Sequence, residues 1–186
     1  MKKAKVWYIL RISLTLLIVT GVVAAALAVV NRITAPMIQQ ANERKVQEAV
    51  NAVLPGGGEP IAYEDDTGLV EDVYASDIGF AVQVVPSGFN GEITMMVGID
   101  AEGKILGISI VSHTETASLG AVAASENAKG ETFRNQFVGM TGPVSVRQDG
   151  GQVDAITGAT VTSRSVCEGI NAALDCVAKL KGEVDA

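Results

Sequence analysis

The sequence has little of the residues that build metal centres and disulfide frameworks. Its 186 residues include one histidine and two cysteines, so no Cys/His zinc cluster can be assembled from them. Cys167 and Cys176 lie in what the apolar spacing predicts to be one helix, on opposite faces and about 13 Å apart along its axis. They cannot bridge within that helix, and we expect two small buried thiols. With no nucleophile–base pair either, we predict no metal site and no catalytic residue.

Acidic residues are missing from the beginning of the chain. Residues 1–42 contain five Lys/Arg and no Asp/Glu, whereas residues 43–186 contain nine Lys/Arg and all 21 Asp/Glu. The two parts therefore carry net charges of +5 and −12, which give the −7 of the whole chain. Because the acidic part repels phosphate backbones, we expect no nucleic-acid partner.

A long stretch without charge follows the basic start. Residues 12–30 are 19 consecutive uncharged, mostly apolar residues, and as a helix they span roughly 28 Å, close to the hydrocarbon thickness of a bilayer. The lysines before them predict a single-pass anchor in the cell (inner) membrane, with a cytoplasmic N-terminus and the remaining chain outside. A cleavable signal peptide is the alternative, because residues 24–28 contain a small-residue cleavage pattern. Both interpretations export the domain.

We divide the chain into three parts: a cytoplasmic start and transmembrane anchor (1–31), an amphipathic stalk helix with a linker (32–58), and an extracytoplasmic domain (59–186). Thr34 and Pro36 predict the start of the second helix, and apolar residues at helical spacing extend it to about Leu54. This helix either lifts the domain off the membrane or packs on it.

The exported part alternates strand-like runs with turns. Residues 80–85, 92–99 and 104–111 predict antiparallel strands, and residues 144–147 and 152–155 predict a short second hairpin. No element is predicted for residues 59–78 or 112–120. Residues 121–137 are an ambiguous helix that places Phe133 and Phe137 in the core, and a final helix covers about 163–180. The fold class is therefore α+β, with a mostly antiparallel sheet packed with helices.

The segment with chemical content is Asp154-Ala-Ile-Thr-Gly-Ala-Thr160-Val-Thr-Ser163, between a predicted strand and a predicted helix. Gly158 and Ala159 leave room for close backbone approach, and the hydroxyls and first free N–H groups of a helix suit a phosphate. An ordinary helix N-terminus with capping side chains has the same features, and Ser165-Val-Cys-Glu168 matches a capping box. The spacing alone leaves both interpretations open.

The run from Asp154 to Thr160 resembles the D-x-x-[ST]-G-A-T flavinylation motif of the FMN-binding domain family. That family supplies the G subunit of Rnf complexes and the C subunit of sodium-pumping NADH:quinone oxidoreductases. The resemblance implies FMN bound covalently as a phosphoester on Thr160, installed by a separate flavin transferase that uses FAD and Mg²⁺. Residues 98–107 and then Ser112-His-Thr-Glu-Thr-Ala-Ser-Leu-Gly120 are similar to the family's hairpin and H-x-E-T-P-G-L-G loop. Here Ala117 and Ser118 replace the Pro-Gly pair.

The resemblance implies a cofactor site built from both segments: Thr160, Thr157, Gly158, Ala159, Thr162, Ser163, Asp154, Glu115, Thr116 and Leu119. Asp154 holds the motif loop or the transferase's metal, or is an ordinary turn aspartate that accepts backbone N–H bonds. Glu115 and Thr116 either contact the isoalloxazine or are solvated loop residues, and Leu119 packs on the ring. We interpret His113 as an exposed loop histidine rather than a proton relay.

Similarity to the Rnf G subunit implies that the chain relays electrons within a membrane-bound, ion-translocating ferredoxin:NAD oxidoreductase. Its partners would be membrane lipid, subunits A, B, C, D and E, and the flavin transferase. Two alternatives come from other classes. One is a free-standing anchored flavoprotein that donates electrons to another reductase, and the other is a flavin-free anchored binding module in which Thr160 only caps a helix.

Overall fold

The computed structural model describes residues 2–63, 65 and 67–184. The first residue of the predicted anchor, two residues of the acidic stretch at 59–78 and the last two of the predicted domain lie outside the described residues. Distances between Cα atoms divide the chain into two compact units, residues 1–44 and 45–186.

The chain begins with helix α1, Lys2–Val53. Among the described residues, this helix alone is long and apolar enough to cross a membrane, a property that N-terminal signal sequences share. The described large apolar side chains of α1 from Trp7 to Ile38 are exposed in the isolated chain. Such a helix fits a single-pass membrane protein, because lipid can cover side chains that the protein leaves bare.

The predicted helix start at Thr34 and Pro36 is wrong, because α1 continues through both residues. The Thr34 hydroxyl donates to the carbonyl of Val30 at 2.9 Å, as threonine does inside a helix rather than at its N-terminal cap. Pro36 removes one helical hydrogen bond, and the helix tolerates this loss. The predicted end is confirmed, since α1 stops at Val53, before Pro55.

A five-stranded antiparallel sheet forms the centre of the second unit, with its strands in chain order. The strands are β1 (Glu59–Ile61), β2 (Val70–Ser76), β3 (Gly79–Val84), β4 (Ile93–Asp100) and β5 (Ile105–His113). The three predicted strands correspond to β3, β4 and β5, and the α+β class is confirmed. Strands β1 and β2 lie in the acidic stretch for which the sequence predicted no element.

Asp65 explains how β2 starts in that polar stretch. Its Oδ2 accepts hydrogen bonds from the Thr67 hydroxyl at 2.6 Å and from the N–H groups of Leu69 and Val70 at 2.8 and 2.9 Å. Burial alone would raise the pKa of Asp65, but these hydrogen bonds lower it to about 2. The carboxylate therefore fixes the backbone at Leu69 and Val70, where β2 begins.

Both faces of the sheet are covered. On one face, β-strand residues such as Val82, Val97 and Ile99 pack with the final helix and neighbouring segments in the main core. On the opposite face, Ala81 and Met96 pack against Val50, Leu54 and other residues from the end of α1. The last turns of α1 thus belong to the domain, and residues on both sides of β3 and β4 are buried.

Three helical segments follow the sheet before the final helix. A 3-10 helix spans Gly120–Ala124, helix α2 spans Ala128–Asn135, and a second 3-10 helix spans Arg147–Asp149. The Asn127 side chain caps α2. Phe133 and Phe137 lie edge to face with their ring centroids 5.4 Å apart, and both are buried as predicted.

The predicted hairpin at residues 144–155 is wrong. Val146 and Val153 form one isolated bridge, and it is parallel. The N–H groups of residues 151–153 donate to the carbonyls of Ser145 and Val146, and Gly150 adopts a φ of 85°. These carbonyls are therefore used in a compact turn and cannot form an antiparallel ladder.

Helix α3 spans Thr160–Val184, three residues earlier than predicted. The predicted capping box fails because Ser165 lies inside this helix, where its hydroxyl bonds to the carbonyls of Ser87 and Val161. Cys167 and Cys176 are free and buried, and burial raises the pKa of each thiol to about 11. Both are the packed, protonated thiols that the sequence predicts.

Candidate functional site

Thr160 is the first residue of α3, directly after a tight turn. Gly158 has a φ of 77°, a conformation that costs glycine little and other residues more. The N–H of Ala159 donates to the carbonyl of Ile156 at 2.9 Å. The Ser163 hydroxyl closes the turn, because it accepts from the Ile156 N–H and donates to the Ala159 carbonyl, each at 3.0 Å. Thr160 is therefore presented at a rigid helix N-terminus.

The hydroxyl groups of this segment fall into two sets. Those of Thr162 and Ser163 are buried and donate to protein acceptors. Those of Thr157 and Thr160 make no hydrogen bond within the described part of the chain, with Thr157 exposed and Thr160 half-buried. The N–H groups of the first turn have no intrahelical acceptor either. The Thr160 hydroxyl thus lies beside first-turn N–H groups that are free to donate.

Glu115 ties the loop after β5 to two other segments. Its side chain is buried, with 8% of the residue exposed. Its Oε1 accepts from the N–H groups of Phe89 and Asn90 at 2.6 and 3.2 Å, and its Oε2 accepts from the Thr162 hydroxyl at 2.8 Å. The carboxylate therefore joins the β3–β4 loop and the first turn of α3.

A cleft of about 340 Å³ opens beside Thr160. Seven of the ten predicted site residues line it: Glu115, Thr116, Leu119, Gly158, Ala159, Thr160 and Thr162. Its rim is apolar, because the side chains of Phe89, Leu119 and Val161 are 68%, 42% and 45% exposed. Of the described residues that line this cleft, none is basic.

A second cleft of about 440 Å³ lies beside the turn that contains Thr157. Thr157 and Asp154 line it together with Lys129 and Phe133. The exposed carboxylate of Asp154 pairs with Arg147 at 2.7 Å and accepts no backbone N–H from the described residues, while the Gln136 side chain holds the Asp154 backbone. The remaining predicted residue, Ser163, is buried and lines neither cleft.

The loop that contains Ala117 and Ser118 forms a turn with a glycine-like backbone angle at Ser118. Ser118 has a φ of 64°, the one positive φ of a non-glycine residue in the described part of the chain. Leu119 follows with its N–H donating to the Thr116 carbonyl at 3.2 Å. This turn places Leu119 at the cleft.

His113 differs from its prediction. It lies at the end of β5 and is half-buried. Its Nδ1 accepts from the N–H of Glu115 at 3.2 Å, so it supports the loop locally. Among the described residues no group of three or more His, Cys, Asp or Glu is placed to hold a metal ion.

Phe89, Gly120 and Val161 line the cleft but were absent from the sequence prediction. Phe89 could have been assigned to the site from its position in the sequence. It is one of only eight aromatic residues in the chain, and it stands in the Gly- and Asn-containing turn after β3, where an apolar ring has no core to join. Val161 could have been found from its position beside Thr160 once the start of α3 was known.

Comparisons with known proteins identify the family to which the chain belongs. The FMN-binding domain model matches residues 88–175, from the Phe89 loop through most of α3. The G subunit of a Na⁺-translocating ferredoxin:NAD⁺ oxidoreductase complex from Acetobacterium woodii is 30% identical, with 88% of each chain covered. The G subunit of an ion-translocating oxidoreductase complex from Methanosarcina acetivorans is 29% identical over 94% of this chain and 97% of the relative.

A third relative, from Clostridium ljungdahlii, is the G subunit of a proton-translocating ferredoxin:NAD⁺ oxidoreductase complex. It is 28% identical, with 88% of this chain and 87% of the relative covered. These relatives match both the N-terminal helix and the domain, since they cover nearly the whole chain. The chain therefore belongs to the family of G subunits of the ion-translocating oxidoreductase complexes and contains that family's FMN-binding domain.

Proposed function

We propose that this chain is the electron-carrying subunit of a membrane-bound, ion-translocating ferredoxin:NAD oxidoreductase complex, with FMN esterified through its phosphate to Thr160. The observation that carries the proposal is the position of the Thr160 hydroxyl. It lies at a helix N-terminus, beside a cleft, inside the segment that matches the FMN-binding domain.

The residues around Thr160 fit a flavin phosphoester. The first-turn N–H groups of α3 and the positive end of the helix dipole favour an anionic phosphate, which matters because the described lining of the cleft contains no basic side chain. Gly158 permits close approach of the backbone. Phe89, Leu119 and Val161 offer an apolar rim for the isoalloxazine ring system, whose flat faces need such cover.

Bound FMN supplies the electron-transfer chemistry, and the protein's part is to hold and surround it. Attachment forms a P–O bond to Thr160 Oγ and breaks the pyrophosphate bond of FAD, so that AMP leaves and the hydroxyl proton is released. We assign this step to the separate transferase with Mg²⁺. Since burial raises the pKa of Cys167 and Cys176, neither thiol competes as an electron carrier or attachment site.

The same proposal includes the position of the domain relative to the membrane and its partners. Helix α1 anchors the chain in the cell membrane with its basic end in the cytoplasm, and the FMN domain lies outside. A covalent ester there prevents the loss of FMN to the medium and fixes its distance from neighbouring carriers. The partners are lipid and the other subunits of the complex, A to E.

Peptide mass spectrometry on membranes from the native host tests the attachment. We expect a mass increment of FMN minus water on the peptide that contains Thr160. Thr160→Val keeps the side-chain shape but removes Oγ, so it should abolish attached flavin and the activity of the complex. Thr141→Val is the matched control, because Thr141 is an exposed threonine of the same domain that lines neither cleft.

The other outcomes separate the alternatives. Full activity of the complex with Thr160→Val would contradict electron relay through FMN on Thr160. Attached flavin in a chain that purifies without integral membrane subunits would favour a free-standing electron donor. An unmodified peptide, in a host shown to contain the transferase, would leave an anchored binding module.

A further inference from the structure

We propose that Glu115 is a positioning residue that holds the Thr160 turn and the Phe89 loop in one arrangement and does not itself bind flavin. This inference rests on the proposed function, because it concerns how Thr160 is presented for flavin attachment. Both oxygens of the carboxylate are already engaged with protein donors, Oε1 with two N–H groups and Oε2 with the Thr162 hydroxyl.

The packing around the carboxylate supports this role independently of the hydrogen bonds. A Cβ atom placed on Gly88 would overlap Oε1, and one placed on Gly120 would overlap Oε2 and come within 2.6 Å of the Thr162 hydroxyl oxygen. In the observed arrangement, the absence of a side chain at both positions lets three chain segments approach the Glu115 carboxylate. A solvated loop glutamate would need no such accommodation.

Each bond of Glu115 acts on a different wall of the cleft. The bond to Thr162 lies two residues beyond Thr160 in the first turn of α3, and it limits how that turn can move. The bonds to the Phe89 and Asn90 N–H groups hold the loop whose Phe89 side chain forms the rim. Breaking the first bond should therefore loosen Thr160, and removing the carboxylate should loosen both walls.

Buried hydrogen bonds to a carboxylate make a measurable free-energy contribution. A hydrogen bond to a charged group contributes about 1.5–3 kcal/mol, and 1.36 kcal/mol is a factor of ten in an equilibrium. We therefore expect Glu115→Ala to reduce the exchange protection of the Phe89 and Asn90 amides by roughly tenfold or more. The change should be confined to the cleft segments.

The test uses the full chain, produced together with its flavin transferase, and measures the rate at which Thr160 acquires FMN. Thr162→Val removes only the hydroxyl, because valine has the shape of threonine, whereas Thr162→Ser keeps it. We expect Thr162→Val and Glu115→Ala to slow attachment and Thr162→Ser to restore it. The attached flavin should also fluoresce more strongly in Glu115→Ala, since the Phe89 rim no longer packs on it, whereas Thr162→Val leaves the bonds to the Phe89 and Asn90 N–H groups in place.

The double variant distinguishes a shared contact from two separate effects. If Glu115 acts through Thr162, Glu115→Ala combined with Thr162→Val should be no slower than Glu115→Ala alone. Additive losses would overturn the proposal. So would normal attachment in Thr162→Val, because a Glu115 that touched the flavin or the transferase's metal directly would tolerate loss of the Thr162 hydroxyl. A wild-type chain that never acquires flavin would instead overturn the proposed function.

Discussion

Ser118 holds a backbone conformation that residues other than glycine rarely adopt. Its φ of 64° lies in the left-handed region, where a non-glycine residue costs of the order of 1–3 kcal/mol. The surrounding loop must compensate, and it does so through the hydrogen bonds that return to the Thr116 carbonyl from Leu119 and Ala121, each 3.2 Å long. The sequence showed a serine at this position, but only the structure shows its left-handed conformation.

We predict that Ser118→Gly stabilises the domain. Relief of strain is offset by about 0.4–1 kcal/mol for the greater freedom of glycine in the unfolded chain, so the net gain should be roughly 0–2.5 kcal/mol. Urea unfolding of the full chain in detergent, followed by circular dichroism, measures it. Ser112→Gly is the matched control, because Ser112 is an exposed residue of strand β5, where glycine destabilises. Equal losses in both variants would contradict the argument.

At the scale of elements, a glycine of the sheet explains how closely the end of α1 packs on it. Gly98 on β4 and Gly107 on β5 are directly paired neighbours. A Cβ atom on Gly98 would overlap the carbonyl oxygen of Val53, whereas one on Gly107 would have no atom within 4 Å. The helix end therefore lies against the backbone at Gly98, a closeness that a side chain would prevent.

We expect Gly98→Ala to destabilise the domain by about 1–3 kcal/mol, the usual cost of forcing an extra group into a packed contact. Gly107→Ala should be neutral or slightly stabilising, because it reduces the freedom of the unfolded chain without a clash. Each variant adds one Cβ atom, one on β4 and the other at the paired position on β5. Their thermal unfolding can therefore be compared directly. Similar midpoints would show that α1 does not rest on Gly98.

The elements with a clear periodic pattern could be predicted, and those held by specific side-chain contacts could not. Strands β3 to β5 are mostly apolar runs bounded by turns, and the last apolar turns of α1 were recognised. Strand β2 was missed because Asp65 and its hydrogen bonds, not hydrophobic alternation, shape its start, and β1 is only three residues long. The turn at residues 144–155 was mistaken for a hairpin because its Gly residues suit either structure.

The candidate site was predictable to the extent that it lies in two motifs. Thr160, Gly158 and Leu119 meet at one cleft, as the paired segments suggested. The inward role of Glu115 was out of reach of the sequence, since its partners Phe89 and Thr162 lie 26 and 47 positions away. Long-range contacts of single polar side chains leave no local pattern.

For the molecule as a whole, charge and attachment are connected. Residues 45–186 contain eight Lys/Arg and 20 Asp/Glu, a net charge of −12. Such a surface repels a free, phosphate-bearing flavin at long range, and the described lining of the Thr160 cleft has no basic side chain to oppose that repulsion. A covalent ester, as proposed, would keep the cofactor in place where charge attraction does not.

The division of the chain into two units leads to a prediction about where the domain begins. Residues 45–186 include the end of α1 with its Val50 and the next residue after the helix, Leu54, both fully buried against the sheet. Residues 59–186, the domain that the sequence suggested, lack it. Each large apolar side chain that is buried contributes about 1.5–3 kcal/mol, and whole domains are stable by about 5–15 kcal/mol.

We therefore expect residues 45–186, produced alone, to be folded and monomeric, and residues 59–186 to be unfolded or aggregated because Ala81 and Met96 lose their cover. No disulfide is needed in either fragment, since Cys167 and Cys176 are free. Gel filtration and thermal unfolding by circular dichroism compare the two directly. Equal stability would mean that the end of α1 only rests on a domain that is complete without it. A fragment 45–186 that fails to fold would mean that the domain depends on the membrane helix itself.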